Sequence, residues 1–244
     1  MMPWLLIPVK SLDSGKSRLL PLCNDDFRRD LNEFFLRQML LTASHFPGHG
    51  RTAVISDSEE VLRLAEIGGA RAIHQTSAPG LNNAAYEGLA VLRNLGAKDV
   101  LLIACDEPLV QPSDIREIAE QGAGGGAVVI CPDKHYTGTN AMLLPAPVSI
   151  RFRFGENSCL KHCREVVRSG FSPKLHFNAN IALDIDTPRD LAMWLNRYDA
   201  SVNTIAVQSG ADLAMLRPAE ELLMSKCRTA GILRFARIRR AQQT

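Results

Sequence analysis

The chain carries no C-x-x-C pair. Its six cysteines, Cys23, Cys105, Cys131, Cys159, Cys163 and Cys227, are scattered, and Cys159 with Cys163 at i,i+4 lacks a second ligand pair of zinc-like spacing. That weighs against a disulfide framework or a zinc finger, and the cysteines read as reduced thiols. No apolar run approaches membrane-spanning length, and the stretch from Trp4 to Val9 ahead of Lys10 is too short for a signal-peptide core. A cytoplasmic protein is expected. Excess charge is also scarce: 28 Lys and Arg against 26 Asp and Glu leave a formal net charge of +2. So small a surplus provides no general field for nucleic acid or a membrane surface, and any charged chemistry must be local. Neither a G-x-S-x-G elbow nor a Cys/His pair in a recognisable setting occurs, which leaves covalent catalysis with little support. There is no internal repeat or low-complexity tract.

What is present is a regular alternation. With 244 residues at 46% hydrophobic composition, the chain can bury one substantial α/β core, with or without an appendage. Apolar strand signals lie at Leu5 to Val9, Thr52 to Ile55, Ala70 to His74, Val100 to Ala104, Ala127 to Cys131, Ala141 to Leu144 and Lys174 to Phe177. Helical patterns separate them: from Asp25 or Asp26, as the cap, to His45, then Ser58 to Ile67, Asn82 to Leu95, Pro112 to Gln121, Glu156 to Ser169, and from Thr187 or Pro188 to Arg197. Strands alternating with helices predict an α/β fold whose mostly parallel sheet is covered on both faces, a three-layer arrangement. Beyond Tyr198 the pattern loosens. Residues 1–199 are read as the domain and residues 200–244 as an extension, helical around Leu213 to Leu223 or partly disordered, with Pro218 interrupting that stretch.

The first strand runs into a cationic loop, Lys10 to Arg18. Gly15 permits a left-handed turn, Lys16 supplies a compact charge, and Arg18 a fork suited to phosphate oxygens. Gly15-Lys16-Ser17 reproduces the last three residues of a Walker A loop, but Lys10 stands where that motif needs its first glycine. The cations Lys10, Lys16 and Arg18 could hold a triphosphate; taken alone, the pattern suits a solvated loop better, and it is the other features that turn the reading.

An acidic half lies further along. Asp106 follows the apolar run Leu101 to Cys105, at the strand tip where open α/β sheets place ligands, and Glu107-Pro108 discourages helix there. In Asp184-Ile185-Asp186, alternate residues of an extended backbone project to one face, so both carboxylates point together while Ile185 faces the core. Two close carboxylates favour a cation, and magnesium commonly takes one or two together with substrate phosphates. A competing duty for Asp186 is to cap the helix that begins at Thr187-Pro188. His135 and His162 have no partner that the sequence defines, and are read as ordinary histidines.

These elements, in this order, resemble the 2-phospho-L-lactate guanylyltransferase family. The resemblance rests on Ile7-Pro8-Val9-Lys10, Gly15-Lys16-Ser17-Arg18-Leu19, Gly80-Leu81-Asn82, Asp106-Glu107-Pro108-Leu109, Gly138-Thr139-Asn140, Phe152-Arg153-Phe154-Gly155 with Ser158, and Leu183-Asp184-Ile185-Asp186-Thr187-Pro188. It implies a nucleotide-diphospho-sugar transferase-like, Rossmann-like fold. The implied reaction moves GMP from GTP to a small phosphorylated carboxylic acid, namely 2-phospho-L-lactate, phosphoenolpyruvate or 3-phosphoglycerate, in coenzyme F-420 biosynthesis. A downstream deazaflavin-coupling transferase would take the product. By the same resemblance Lys10, Lys16 and Arg18 contact the triphosphate, and Gly80, Leu81 and Asn82 lie near guanine. Asp106, Asp184 and Asp186 hold Mg2+, with Lys16, Arg18 and Asp106 at the reacting centre, while Thr139, Gly155 and Ser158 cradle the acid. A homodimer is compatible with the tail. Two other readings share such a sheet: a cytidylyltransferase of a sugar-like or pterin phosphate, and a non-catalytic nucleotide-binding subunit.

Overall fold

In a computed structural model, residues 2–20, 23–123 and 126–195 are described. The strands are β1 (Trp4–Pro8), β2 (Thr52–Ser56), β3 (Arg71–His74), β4 (Asp99–Ile103), β5 (Ala127–Pro132), β6 (Thr139–Pro145) and β7 (Ser172–Leu175). Between them run α1 (Asp25–His45), α2 (Glu59–Ile67), α3 (Leu81–Asn94), α4 (Pro112–Gln121) and α5 (Ser158–Arg168), and residues 188–195 are helical again. The predicted helix from Leu213 to Leu223 lies outside the described residues.

The strands form one sheet in the order β3-β2-β1-β4-β6-β5-β7. Neighbours β3, β2, β1 and β4 run parallel, as do β5 and β7, whereas β6 lies antiparallel to both β4 and β5. The mostly parallel sheet is therefore mixed at β6. Strands β1, β2 and β4 are buried almost throughout, as strands covered on both faces must be. One core cluster joins Leu5, Ile7 and Val54 to Leu36 and Leu40 of α1 and Ile115 of α4. The other joins Leu6, Ile55 and Leu102 to Ala85 and Leu89 of α3 and Val166 of α5. These are the two helical layers.

Local chemistry places several ends differently from the sequence reading. Asn24, with extended backbone, caps α1 by accepting from the Phe27 amide at 2.9 Å, so Asp25 and Asp26 sit in the first turn, where their charge suits the helix dipole. Helix α3 begins at Leu81 behind Gly80, whose φ of 135° suits glycine alone. Gly88 lets α3 lie on β1: a Cβ there would come within 2.7 Å of Leu6 Cδ1.

Candidate active site

Lys16 stands in a left-handed turn (φ 52°) just before a 3-10 turn at Ser17–Leu19, which carries its side chain inward. Its ammonium donates to Asp106 Oδ2 at 2.9 Å and to the Ile185 carbonyl at 2.6 Å, and it lies 3.9 Å from Asp186 Oδ1. The Phe35 ring is 5.3 Å away. Its side chain is 6% exposed, against 30% for Asp106 and 45% for Asp186. Burial by itself would lower the Lys16 pKa, but the charge and hydrogen bond of Asp106, with Asp186 and Cys105 behind it, raise it above the usual lysine value. The early cationic loop and the late acidic stretch thus meet at one nitrogen. Of the three ammonium donors, two are in hydrogen bonds.

The acidic stretch is tied to the sheet at several points. The Ile185 amide donates to the Asp106 carbonyl, the Lys134 amide to the Ala182 carbonyl, and Asn140 Nδ2 to the Ile181 carbonyl. Ile185 is buried with Leu183, Phe34 and Trp194, so Asp184 and Asp186 project on the other side, as alternation requires. Capping falls to neighbours: Asp190 accepts from the Thr187 amide and hydroxyl, while the Asp190 amide donates back to Thr187 Oγ1. That reciprocal pair relieves Asp186 of the duty. Asp184 faces Lys134 at 3.7 Å, and Lys134 binds Asp190 at 2.7 Å. Burial, and then neighbouring acids, push the Asp186 carboxyl above the ordinary range against Lys16 and Arg18; burial does the same for Asp184 against Lys134. Glu107 is 1% exposed and neither of its carboxyl oxygens has a hydrogen-bond partner among the described residues. Burial, Asp106 and Asp184 drive its pKa well up.

Other cations and loops line adjoining hollows. A cavity of about 270 Å³ is bounded by Lys10, Ser11, Asp57, Gln75, Gly80 and Leu81. A second, about 470 Å³, gathers Arg18, Lys134, His135, Thr137, Asp184 and Asp186. Asn82 faces neither; it accepts from the Phe154 amide at 2.7 Å and lies in a wider cleft of about 800 Å³ between α3 and α5. Five cations, Arg151, Arg153, Lys161, Arg164 and Arg168, surround that cleft with a single acid, Glu165.

Thr139 opens β6 and Ser158 opens α5; both are buried, and the Ser158 amide donates to the Gly155 carbonyl. His162, fully buried, joins them: Nδ1 lies 2.9 Å from Thr139 Oγ1, and Nε2 accepts from the Arg153 amide at 2.9 Å. Burial lowers its pKa to about 4, with Glu165 opposing.

The family model for "Guanylyl transferase CofC like" proteins matches residues 4–197. The chain belongs to this family. A relative from Rubrobacter xylanophilus, named phosphoenolpyruvate guanylyltransferase, is 35% identical over 187 residues, covering 77% of this chain and 90% of that protein. A 2-phospho-L-lactate guanylyltransferase from Methanobrevibacter smithii is 25% identical over 186 residues, covering 76% and 80%. A solved cytidylyltransferase from Leptospira borgpetersenii shares the fold alone, with a TM-score of 0.54 at 12% identity over 88% of this chain and 97% of that one.

As a member of a guanylyltransferase family, the chain is an enzyme of the nucleotidyltransferase class. The structure brings Lys16, Asp106 and Asp186 together, sets Arg18 beside Asp184 and Asp186, and puts Lys10 with Gly80 and Leu81 in a separate hollow. Sequence reasoning passed over Lys134, gave Glu107 no role of its own, and set His162 aside as an ordinary histidine. Lys134 sits in a turn with no motif around it, and the i,i+4 spacing of Ser158 and His162 across one turn of α5 was the only available pointer to the last.

Proposed function

We propose that the chain transfers GMP from GTP to the phosphate of a three-carbon phosphoacid and releases pyrophosphate. The observation that carries this reading is the Lys16 ammonium, held between the strand-tip Asp106 and Asp186. Two unit charges 4 Å apart repel by ~4 kcal/mol at an effective dielectric of ~20, so cations are what the union of two polyanions requires. Lys16 and Arg18 would meet the triphosphate, and the cavity of Lys10, Gly80 and Leu81 would take the nucleoside. Thr139, Ser158 and the Gly155 loop would orient the acceptor, making the encounter a positioned one. A phosphate monoester is anionic at neutral pH, so its oxygen attacks the α-phosphorus without a protein base.

Magnesium fits the donor set as part of a shell. Among the described residues no three acidic, imidazole or thiol groups gather closely enough to hold an ion alone, but Mg2+ needs only one or two carboxylates when phosphate oxygens and water complete it. Asp106 and Asp186, with Asp184 beside them, would hold it; burial first, and neighbouring acids after it, raise the carboxyls of 184 and 186, and a bound cation would offset both. When bound it would neutralise phosphate charge.

Phosphoenolpyruvate is the first acceptor to test because the 35% identical relative bears that name. The reading places the catalytic domain at residues 1–199, and the product with a deazaflavin-coupling transferase of coenzyme F-420 biosynthesis. Pyrophosphate release should be measured with GTP or CTP, Mg2+ and each of phosphoenolpyruvate, 2-phospho-L-lactate and 3-phosphoglycerate. GTP with one of the three should turn over fastest; preference for CTP, or no turnover with any pair, would overturn the proposal.

A further inference from the structure

The loop Phe152-Arg153-Phe154-Gly155 is anchored at two points. On one side Asn82 Oδ1, next to Gly80 and Leu81, accepts from the Phe154 amide; on the other the Arg153 amide donates to His162 Nε2. A backbone amide can only donate, so Nε2 must present its lone pair. A neutral imidazole with a bare Nε2 carries its proton on Nδ1, and among the described residues the hydrogen-bond partner of Nδ1 is Thr139 Oγ1, 2.9 Å away. The threonine oxygen therefore accepts from His162 and keeps its own proton free to donate. Phe152 and Phe154 pack edge-on against the imidazole, with centroids 6.4 and 4.7 Å away, which fixes the ring plane.

We propose that His162 is a positioning residue: held as the Nδ1–H tautomer by the Arg153 amide, it turns the Thr139 hydroxyl into a dedicated donor for the acceptor's anionic oxygens. The acceptor part rests on the reading of Thr139 given above. The low pKa of His162, about 4, agrees with an imidazole that is neutral at pH 7. An imidazolium would lose the Arg153 bond, so the same ring couples the loop's position to the hydroxyl's orientation. A merely packed histidine would need neither.

The tautomer can be read without any variant, from side-chain 15N shifts of His162 in the intact protein at pH 7. Nδ1 should be protonated and Nε2 bare; an Nε2–H tautomer or an imidazolium would overturn the proposal. Kinetics test the acceptor part. His162→Asn retains an amide donor near the Nδ1 position, while His162→Gln retains an acceptor near Nε2 but offers Thr139 no placed donor. His162→Gln should raise the acceptor KM about tenfold with the GTP KM unchanged, as expected for one lost hydrogen bond, and His162→Asn distinctly less. Equal effects of the two variants, or parallel changes in both KM values, would reduce His162 to packing. Thr139→Val should raise the acceptor KM too and abolish the further effect of His162→Gln. If Thr139→Val leaves that KM unaltered while the tautomer is as stated, the hydrogen-bond chain survives and the acceptor reading of Thr139 is what fails.

Discussion

Replacing Lys16 with methionine would keep most of the buried stem and remove the ammonium. Gone would be the 2.9 Å pair with Asp106, the hydrogen bond to the Ile185 carbonyl, the attraction to Asp186 at 3.9 Å and the contact with Phe35. Asp106 would lose its paired cation, and Asp184 and Asp186 would be left with Lys134 and Arg18 alone to offset the cluster. Removing one partner of a fully buried pair costs about 3–5 kcal/mol; with Asp106 30% and Asp186 45% exposed, solvent screening brings this to about 2–3 kcal/mol. In a protein of this size that corresponds to a drop in Tm of about 4–12 °C. The sign with pH is a stricter check. Asp184 and Asp186 have folded pKa values above their unfolded 3.8, so their penalty is absent below that value and grows as pH rises through the folded one. Urea unfolding of wild type and Lys16→Met, compared near pH 4.5 and near pH 8, should show the larger deficit at the higher pH. An equal deficit at both, or none, would refute the placing of Lys16 as counter-ion to these acids. The same variant should lose about 10- to 100-fold in kcat/KM for GTP, the worth of one charged hydrogen bond.

Raised and lowered groups pull wild-type stability in opposite directions with pH, and His162, lowered from 6.5 to about 4, costs stability as pH falls through that window. Glu107, Asp184 and Asp186 have raised folded pKa values, so they cost stability as pH rises from about 4; Asp133, Asp190 and Glu87, the last lowered to about 2, lose their contribution as pH falls below it. Glu107→Gln keeps the buried shape and stays neutral, so its Tm relative to wild type should rise between about pH 5 and pH 8; an equal difference at both would show that Glu107 is not the buried acid described. Gly88→Ala in a helix would ordinarily gain about 0.8–1 kcal/mol. Here the new Cβ meets Leu6 at 2.7 Å, and overpacking of about 1–3 kcal/mol should cancel or exceed the gain. A variant clearly more stable than wild type would show that α3 can lift from β1.

Periodicity was enough to read the alternation of strands and helices, because buried parallel strands are continuous apolar runs and the helices carry caps or glycine stops. It could not show that β6 runs antiparallel: direction is decided by how a chain returns, and the apolar run Ala141 to Leu144 reads the same either way. The meeting of Lys16 with Asp106 and Asp186 was legible as charge complementarity between segments more than a hundred and sixty residues apart at their extremes, as the 169-residue span from Lys16 to Ile185 records. Which acid caps the last helix was not legible, since Asp186 and Thr187 are both good caps and only the reciprocal bonds of Thr187 and Asp190 decide. His162 was read as an ordinary histidine for a related reason: its partners, the Arg153 amide and the Thr139 hydroxyl, are brought to it from a loop and β6.

The most direct measurement is the structure of the enzyme with Mg2+ and a non-hydrolysable GTP analogue. Guanosine should occupy the hollow of Lys10, Gly80 and Leu81, phosphate oxygens should touch Lys16, and the ion should rest on Asp106 and Asp186. A nucleotide seated instead in the Arg151, Arg164 and Arg168 cleft, with Lys16 still closed on Asp106, would contradict the proposed site.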